Sequence, residues 1–258
     1  MTRIHSSAVV HPSAELAEDV EIGPFCLVGE KVRIGRGTCL MAQVVVAQNT
    51  IIGEDCRIFP FASLGTPPQD IKYRGEDTWL IIGNNNLIRE FVTINRGTLH
   101  GGGRTTIGDD NFLMAYVHIA HDCHIGNHVI MANAATLAGH IDIEDHAIIG
   151  GLSAIHQFVR IGAYSLVGGA SGISQDVVPY VSAVGNRARL YGLNLVGLRR
   201  HNFSEDTIHH LKRAYRIIFR SGLLLSEALA RAEEELGSVP EVNHMLEFIR
   251  KSRRGILR

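Results

Sequence analysis

Tyr116-Val-His-Ile-Ala-His-Asp-Cys-His-Ile125 places two aliphatic residues, Ile119 and Ile125, six positions apart. Counting onward in sixes meets Met131, Leu137, Ile143, Ile149, Ile155, Ile161, Val167 and Ile173. Counting back meets Leu113 and Ile107, then, across an interruption, Ile94, Ile88 and Ile82. Across a second interruption the count runs Leu64, Ile58, Ile52, Val46, Leu40, Ile34, Val28, Ile22, Leu16, Val10 and Ile4. Every position is aliphatic or Met in a chain that is 45% hydrophobic, so chance does not account for the pattern.

Six residues fits neither an amphipathic helix nor simple strand alternation. It suits a short strand and a turn, repeated, with one large aliphatic pointing inward per unit. Two residues earlier the chain is often small or β-branched (Ala14, Val20, Cys26, Val32, Thr50, Ala62, Cys123, Ala135), so two alternating residues per strand face a common interior. Gly often follows the aliphatic (Gly23, Gly29, Gly35, Gly53, Gly83, Gly108, Gly126, Gly162), where a sharp corner calls for permissive backbone. This hexapeptide pattern resembles that of the hexapeptide acyltransferases. The resemblance implies a mainly β fold, a left-handed parallel β-helix with three units per triangular coil of 18 residues, over about residues 4 to 178.

Length and composition narrow the function. At 258 residues the chain can bury one large domain or a large and a small one. A formal net charge of -1 and a pI near 6.9 argue against a nucleic-acid binder. The N-terminus, Met1-Thr-Arg-Ile-His-Ser-Ser7, lacks the apolar core of a signal peptide, and no run reaches the roughly 18 apolar residues of a membrane span. A soluble, cytoplasmic protein with no transmembrane segment is expected. Cys26, Cys39, Cys56 and Cys123 are scattered without a CxxC pair, so small apolar filler is expected of them rather than disulfides or a structural zinc site.

The breaks in the count predict loops at 65–81 and 95–106. The first holds Gln69, Asp70, Lys72, Tyr73, Arg74 and the single Trp79, and is the better functional candidate over an ordinary solvated loop. The second, with Gly101-Gly-Gly103, matches no nucleotide-loop pattern and reads as a plain mobile turn. The character changes after Pro179, which predicts a β-helix over 1–190 and a C-terminal helical domain over 191–258. Ser204 before Glu205 and Asp206 marks a capped helix start, a second helix follows Ser226, and a third begins near Pro240. Residues 191–258 carry 12 Lys and Arg against 8 Asp and Glu, which serves either solubility or docking of an acidic partner on Arg199, Arg200, Lys212, Arg213, Arg216 and Arg220.

Histidines concentrate at 118, 121, 124, 128, 140, 146 and 156 of the 14 in the chain. With 18-residue coils, His121-Asp122 stacks under Gly139-His140 at about 4.8 Å per coil, with His156-Gln157 close to the same edge. His128 and His146 form another column; His118 points outward, and His124 is expected at the surface. Stacked histidines serve as turn fillers, as metal ligands or as a general base, since an ordinary imidazole titrates at about 6.5.

Asn95-Arg-Gly-Thr98, His118-Ile-Ala-His-Asp-Cys123, Ala132-Asn133, Ala135-Thr-Leu-Ala-Gly-His140, Ile148-Ile-Gly-Gly151, His156-Gln-Phe158, Gln69-Asp-Ile-Lys-Tyr73, Gly192-Leu-Asn-Leu-Val-Gly-Leu-Arg-Arg200 and Arg253-Arg-Gly-Ile256 make the resemblance specific. Over nearly the whole chain they are similar to the bacterial acyl-carrier-protein–UDP-N-acetylglucosamine O-acyltransferases, which take the first step towards lipid A. By that resemblance His121 is the general base, Asp122 orients it and the Gly139 N–H stabilises the oxyanion. Gln69, Asp70, Lys72, His118, His140, His156 and Gln157 hold the sugar and diphosphate, and Asn194 and Arg200 contact the nucleotide or the carrier's prosthetic arm. Gly151 and Gly169 line the acyl pocket, where a bulky residue shortens the chain taken, so a relatively long 3-hydroxyacyl chain is expected. The resemblance implies a homotrimer with sites between chains, an acidic acyl carrier protein as donor, no bound metal and no cofactor beyond the donor's phosphopantetheine. Two positions depart from the family pattern, Val196 for a Glu and His201 for an Arg, both in the nucleotide-binding part. The alternatives are an N-acyltransferase of the acylated sugar nucleotide, an enzyme for a 3-amino sugar nucleotide, a zinc enzyme like the γ-class carbonic anhydrases and a non-catalytic solenoid module.

Overall fold

The structure is a computed structural model describing residues 1–258. Short strands, mostly of two residues, stack into three sheets of 11, 9 and 8 strands. Each strand pairs in parallel with the one a coil away, so that Ile119 lies against Leu137 and Leu137 against Ile155. The counted aliphatics point into the coil, as do the residues two before them: Ile119, Leu137, Val117 and Ala135 have no exposed surface. The first coil is the exception. Ile4 is 50% exposed because no preceding coil covers it.

The glycines after the aliphatics do a different job from the one their position suggests. Left-handed backbone falls instead on the residue three after most of the counted aliphatics, with Phe25 at φ 57°, Asp122 at 59° and His140 at 60°. This conformation costs a non-glycine residue on the order of 1 kcal/mol and persists because the coils on either side hold the corner. The glycines are there for contact. A Cβ on Gly23 would stand 2.7 Å from the Met41 carbonyl oxygen of the next coil, and one on Gly35 would stand 2.5 Å from Gly53 backbone.

Both interruptions lengthen the same corner, the one between the second and third sheets where His121 also lies. They are shorter than 65–81 and 95–106, because strands Ser63–Thr66, Trp79–Ile82, Thr93–Asn95 and Arg104–Ile107 reach into those ranges. Trp79 is therefore a strand residue. Buried Arg96 ties the two loops together, donating to the Gly65 carbonyl at 3.0 Å and to the Tyr73 hydroxyl at 2.9 and 3.1 Å.

The solenoid ends in an antiparallel pair, Val181–Val184 with Arg189–Leu193, which crosses residue 190. A short helix, α1 (Leu195–Arg200), follows, unanticipated by hydrophobic spacing because it spans less than two turns. Helix α2 (Glu205–Arg220) starts at the Ser204 cap, whose hydroxyl accepts from the Thr207 N–H. Helix α3 (Leu225–Leu236) begins before Ser226: the Glu227 carboxylate, not a serine, accepts from the Leu224 N–H. Helix α4 (Pro240–Arg250) completes the set, and no helix is long and apolar enough to cross a membrane.

Candidate active site

The corner after Ile119 sets the geometry. His121 is the first turn residue and Asp122 the left-handed one, so the two side chains leave the same bend. His121 Nδ1 lies 2.7 Å from Asp122 Oδ2. The Asp122 side chain has no exposed surface, and its other bonds come from Thr98: the N–H reaches Oδ1 at 2.8 Å and the hydroxyl reaches Oδ2 at 2.6 Å. Burial pushes the Asp122 carboxyl up, but the hydrogen bonds from His121 and Thr98 outweigh it and hold it below its ordinary value. A carboxylate only accepts, so the proton of His121 sits on Nδ1 and the Nε2 lone pair is free.

Gly139 lies one coil on. A Cβ there would stand 2.6 Å from His121 Cε1 and 2.9 Å from Nε2, so only glycine leaves room for the imidazole. The Gly139 N–H donates to no acceptor within the chain. Pro12, Pro24 and Pro60 occupy the same turn position in other coils, which a residue without an N–H can do because the coil needs no bond there. Gly139 thus offers an unpaired main-chain donor beside the free nitrogen of His121.

His140 meets His121 edge-on, with ring centroids 5.1 Å apart, and stacks on Phe158 at 4.6 Å. Burial lowers the His140 pKa against the opposing pull of Asp122. Phe158, not His156 or Gln157, is the residue directly above His140; those two are exposed at the adjoining turn positions. His118 faces outward as expected and lies 2.7 Å from the Thr93 hydroxyl through Nδ1, with burial lowering its pKa. His124, expected at the surface, is half-buried, bonded to Thr106 at 2.8 Å and lining a cavity.

The second loop is not a plain turn. Besides Thr98 it brings Gly101 so close to Asp122 that a Cβ would fall 1.9 Å from Cγ. Gly102 and Gly103, at φ 96° and 80°, supply the bend. Thr98 and Gly101 were invisible to spacing because the loop has no period; the corner it interrupts, one coil below His121, was the available signal. On the first loop Gln69 and Lys72 are exposed, and Asp70 accepts from the Lys72 N–H at 2.9 Å.

Four expected residues stand apart from His121 within one chain. Asn194 is buried and engaged within the chain, accepting from the Gly197 N–H and donating to the Tyr164 carbonyl at 3.0 Å. Arg200 is exposed at the end of α1, which packs at the corner of His146 and Tyr164 through His201. Gly151 and Gly169 lie on the remaining corner.

His121, Asp122 and His140 hold their ligand atoms within 4.8 Å of one another, the separation a metal site requires. Zinc bonds of about 2.0–2.2 Å would compete with the hydrogen bonds that Asp122 Oδ2 accepts from His121 and Thr98. The arrangement fits an oriented base better than a ligand set.

A parallel β-helix on a six-residue repeat, carrying a histidine–carboxylate pair at a coil corner, defines a hexapeptide transferase. The family described as bacterial transferase hexapeptide (six repeats) matches residues 104–139, and that of Udp N-acetylglucosamine O-acyltransferase, domain 2, matches residues 176–257. The acyl-[acyl-carrier-protein]–UDP-N-acetylglucosamine O-acyltransferases of Thermodesulfovibrio yellowstonii and Halorhodospira halophila are 58% and 52% identical to this chain, each over 100% of both chains. The crystal structure of LpxA from Acinetobacter baumannii shares 50% identity with a TM-score of 0.96, covering 99% of each chain. The chain belongs to the acyl-[acyl-carrier-protein]–UDP-N-acetylglucosamine O-acyltransferase family.

Proposed function

We propose that the chain transfers a 3-hydroxyacyl group from acyl carrier protein to the 3-hydroxyl of UDP-N-acetylglucosamine, the first step of lipid A biosynthesis. The observation that carries the mechanism is the His121–Asp122 bond, which leaves Nε2 free beside the unpaired Gly139 N–H. His121 takes the proton of the sugar hydroxyl as its oxygen attacks the thioester carbonyl. The Gly139 N–H meets the resulting oxyanion, a contribution of about 3 kcal/mol where such a donor has been removed. The intermediate collapses to the ester, the C–S bond breaks, and the imidazolium returns the proton to the departing thiolate. Asp122 stabilises the imidazolium in between. Asp70, Lys72, Gln69, His118, His140, His156 and Gln157 surround the sugar and diphosphate. The test is transfer by the purified chain from 3-hydroxyacyl carrier protein, with mass analysis of the product. An amide product, or undiminished transfer by His121→Ala, would sink it.

The solenoid is left-handed, with a helical domain following the strand Arg189–Leu193, and the working unit is a homotrimer. Supporting the trimer, Gly151 and Gly169 sit at a different corner from His121, so an acyl pocket beside the base needs a second chain. That corner also exposes a ladder in which Phe61, Phe91 and Tyr116 stack at 4.8 and 4.9 Å, with Leu152 74% exposed beyond it. Asn194 and Arg200 reach a site only across the same interface. The acidic carrier docks on the C-terminal helices. Arg199 and Arg213 are paired with Glu205 and Glu235, leaving Arg200, Lys212, Arg216 and Arg220 without carboxylate partners. Four free cysteines suit a reducing, cytoplasmic location. The donor brings its own phosphopantetheine, so no resident cofactor is required.

A further inference from the structure

A cavity of about 760 Å³ opens beside the His121 corner, along the third sheet. Asp122, His140, Phe158 and Gly101 line it from the site already described. His124, Asp142 and Arg160, outward residues of successive strands in register, form a second part of the lining. The third part is cationic: Lys251, Arg253 and Arg254, from the tail that leaves α4. Four cations thus share the lining with two carboxylates. Asp122 is already engaged by Thr98 and His121, which leaves Asp142 to oppose them.

The fold fixes these cations without neutralising most of them. Asp176, 1% exposed, accepts from the Arg160 N–H at 2.9 Å and from the Ser252 hydroxyl at 2.7 Å. Its main chain bonds Gly255 and Leu257 on the tail, whose Ile256 and Leu257 are buried. The Arg160 guanidinium lies 4.1 Å over the Phe248 ring and donates to the Phe248 carbonyl at 3.2 Å. Arg254 donates to the Ser174 carbonyl at 3.2 Å, and Arg253 has no partner within the chain. Only Lys251 is ion-paired, with Glu247 at 3.2 Å. Guanidinium groups held by neutral carbonyls keep their charge and a free edge for an anion, and their planar fork matches a phosphate.

We propose that this cavity is a subsite for a phosphate ester, and that the ester it takes is the phosphodiester of the donor's prosthetic arm. The proposal rests on the acyl-transfer reading above and adds to it the place where the donor's charge is held. The rim continues from α4, in the basic helical segment, while another part of the lining is Asp122 and His140. An arm entering over the tail therefore brings its thioester end to the His121 corner. The diphosphate of the sugar nucleotide offers the same chemistry, and the two sources separate by experiment.

Two variants serve. Arg253→Ser removes a cation without a partner, and Arg160→Met keeps an apolar stem over Phe248 while removing the charge. Titration calorimetry on the full-length chain uses 4′-phosphopantetheine and pantetheine as probes. Wild type should bind the phosphorylated probe about tenfold more tightly, and each variant should erase most of that difference. In steady-state assays each variant should raise KM for the acyl carrier donor and leave KM for UDP-N-acetylglucosamine in place. Equal affinity of wild type for the two probes would overturn the subsite, as would variants that keep the preference. A rise in KM for the sugar nucleotide alone would assign the phosphate to the nucleotide and overturn the donor arm. Absence of any transfer by wild type would sink the acyl-transfer reading instead, while the calorimetric comparison would still read the subsite.

Discussion

At the corner after Ile119, one hydrogen bond and one missing side chain set up the chemistry. His121 is aimed by Asp122, and the space its ring occupies exists because residue 139 is glycine. His121→Ala should lower kcat by about 10²–10⁴-fold with the fold intact, measured by turnover alongside thermal melting. Gly139→Ala should disable the enzyme by the opposite route, since its Cβ would stand 2.6 Å from the ring; a crystal structure of the variant should show His121 displaced. The lowered pKa values of His118 and His140 carry a stability consequence. A histidine depressed in the fold takes up its proton more readily when unfolded. Its contribution is fully present above the unfolded value near about 6.5 and is lost as pH falls through the folded value. Melting temperature should therefore hold above that pH and decline below it, and His118→Asn should flatten part of the decline.

At the scale of elements, the second loop is as much part of the site as the corner it covers. Thr98 supplies two of the hydrogen bonds that keep Asp122 charged, and Gly101 packs against its carboxyl. Thr98→Val should weaken the carboxylate's support by about 1.5–3 kcal/mol, the range for hydrogen bonds to charged groups, and reduce kcat more than KM. Gly101→Ala should be worse, because a Cβ 1.9 Å from Asp122 Cγ forces either the loop or the carboxylate to move. Spacing located this loop but could not value it. A period describes residues that repeat, and Thr98 and Gly101 do not. The same limit hid α1, too short to show an amphipathic stripe, and the contact role of the glycines, which depends on the coil above.

For the molecule as a whole, the solenoid separates tasks among its corners. One carries the His121–Asp122 pair and both loops, another the His128–His146–Tyr164 stack against α1, and the third the exposed aromatic ladder with Gly151 and Gly169. A Cβ on Gly169 would meet only the Gly151 carbonyl oxygen, at 3.4 Å, so a larger residue fits there. Gly169→Met should shift donor preference towards shorter 3-hydroxyacyl chains, read by competing carrier-bound donors of different lengths. Because Asp122 is engaged by hydrogen bonds rather than held open, chelator treatment should leave transfer unchanged and metal analysis should find no stoichiometric zinc.

The six-residue count by itself determined the strand positions and the inward residues; with the 18-residue coil that the resemblance implies, it also stacked His121-Asp122 under Gly139-His140. Those follow from a period, which one chain states in full. Only the tertiary structure decided that both insertions share the His121 corner, that Thr98 and Gly101 enclose Asp122, and that the C-terminal cations border the same cavity. These juxtapositions join residues far apart in sequence through loop closure and tail docking, whose geometry depends on the packing of other coils. The pair quoted at the outset, His121 and Asp122, was legible as chemistry; what holds it in place was not.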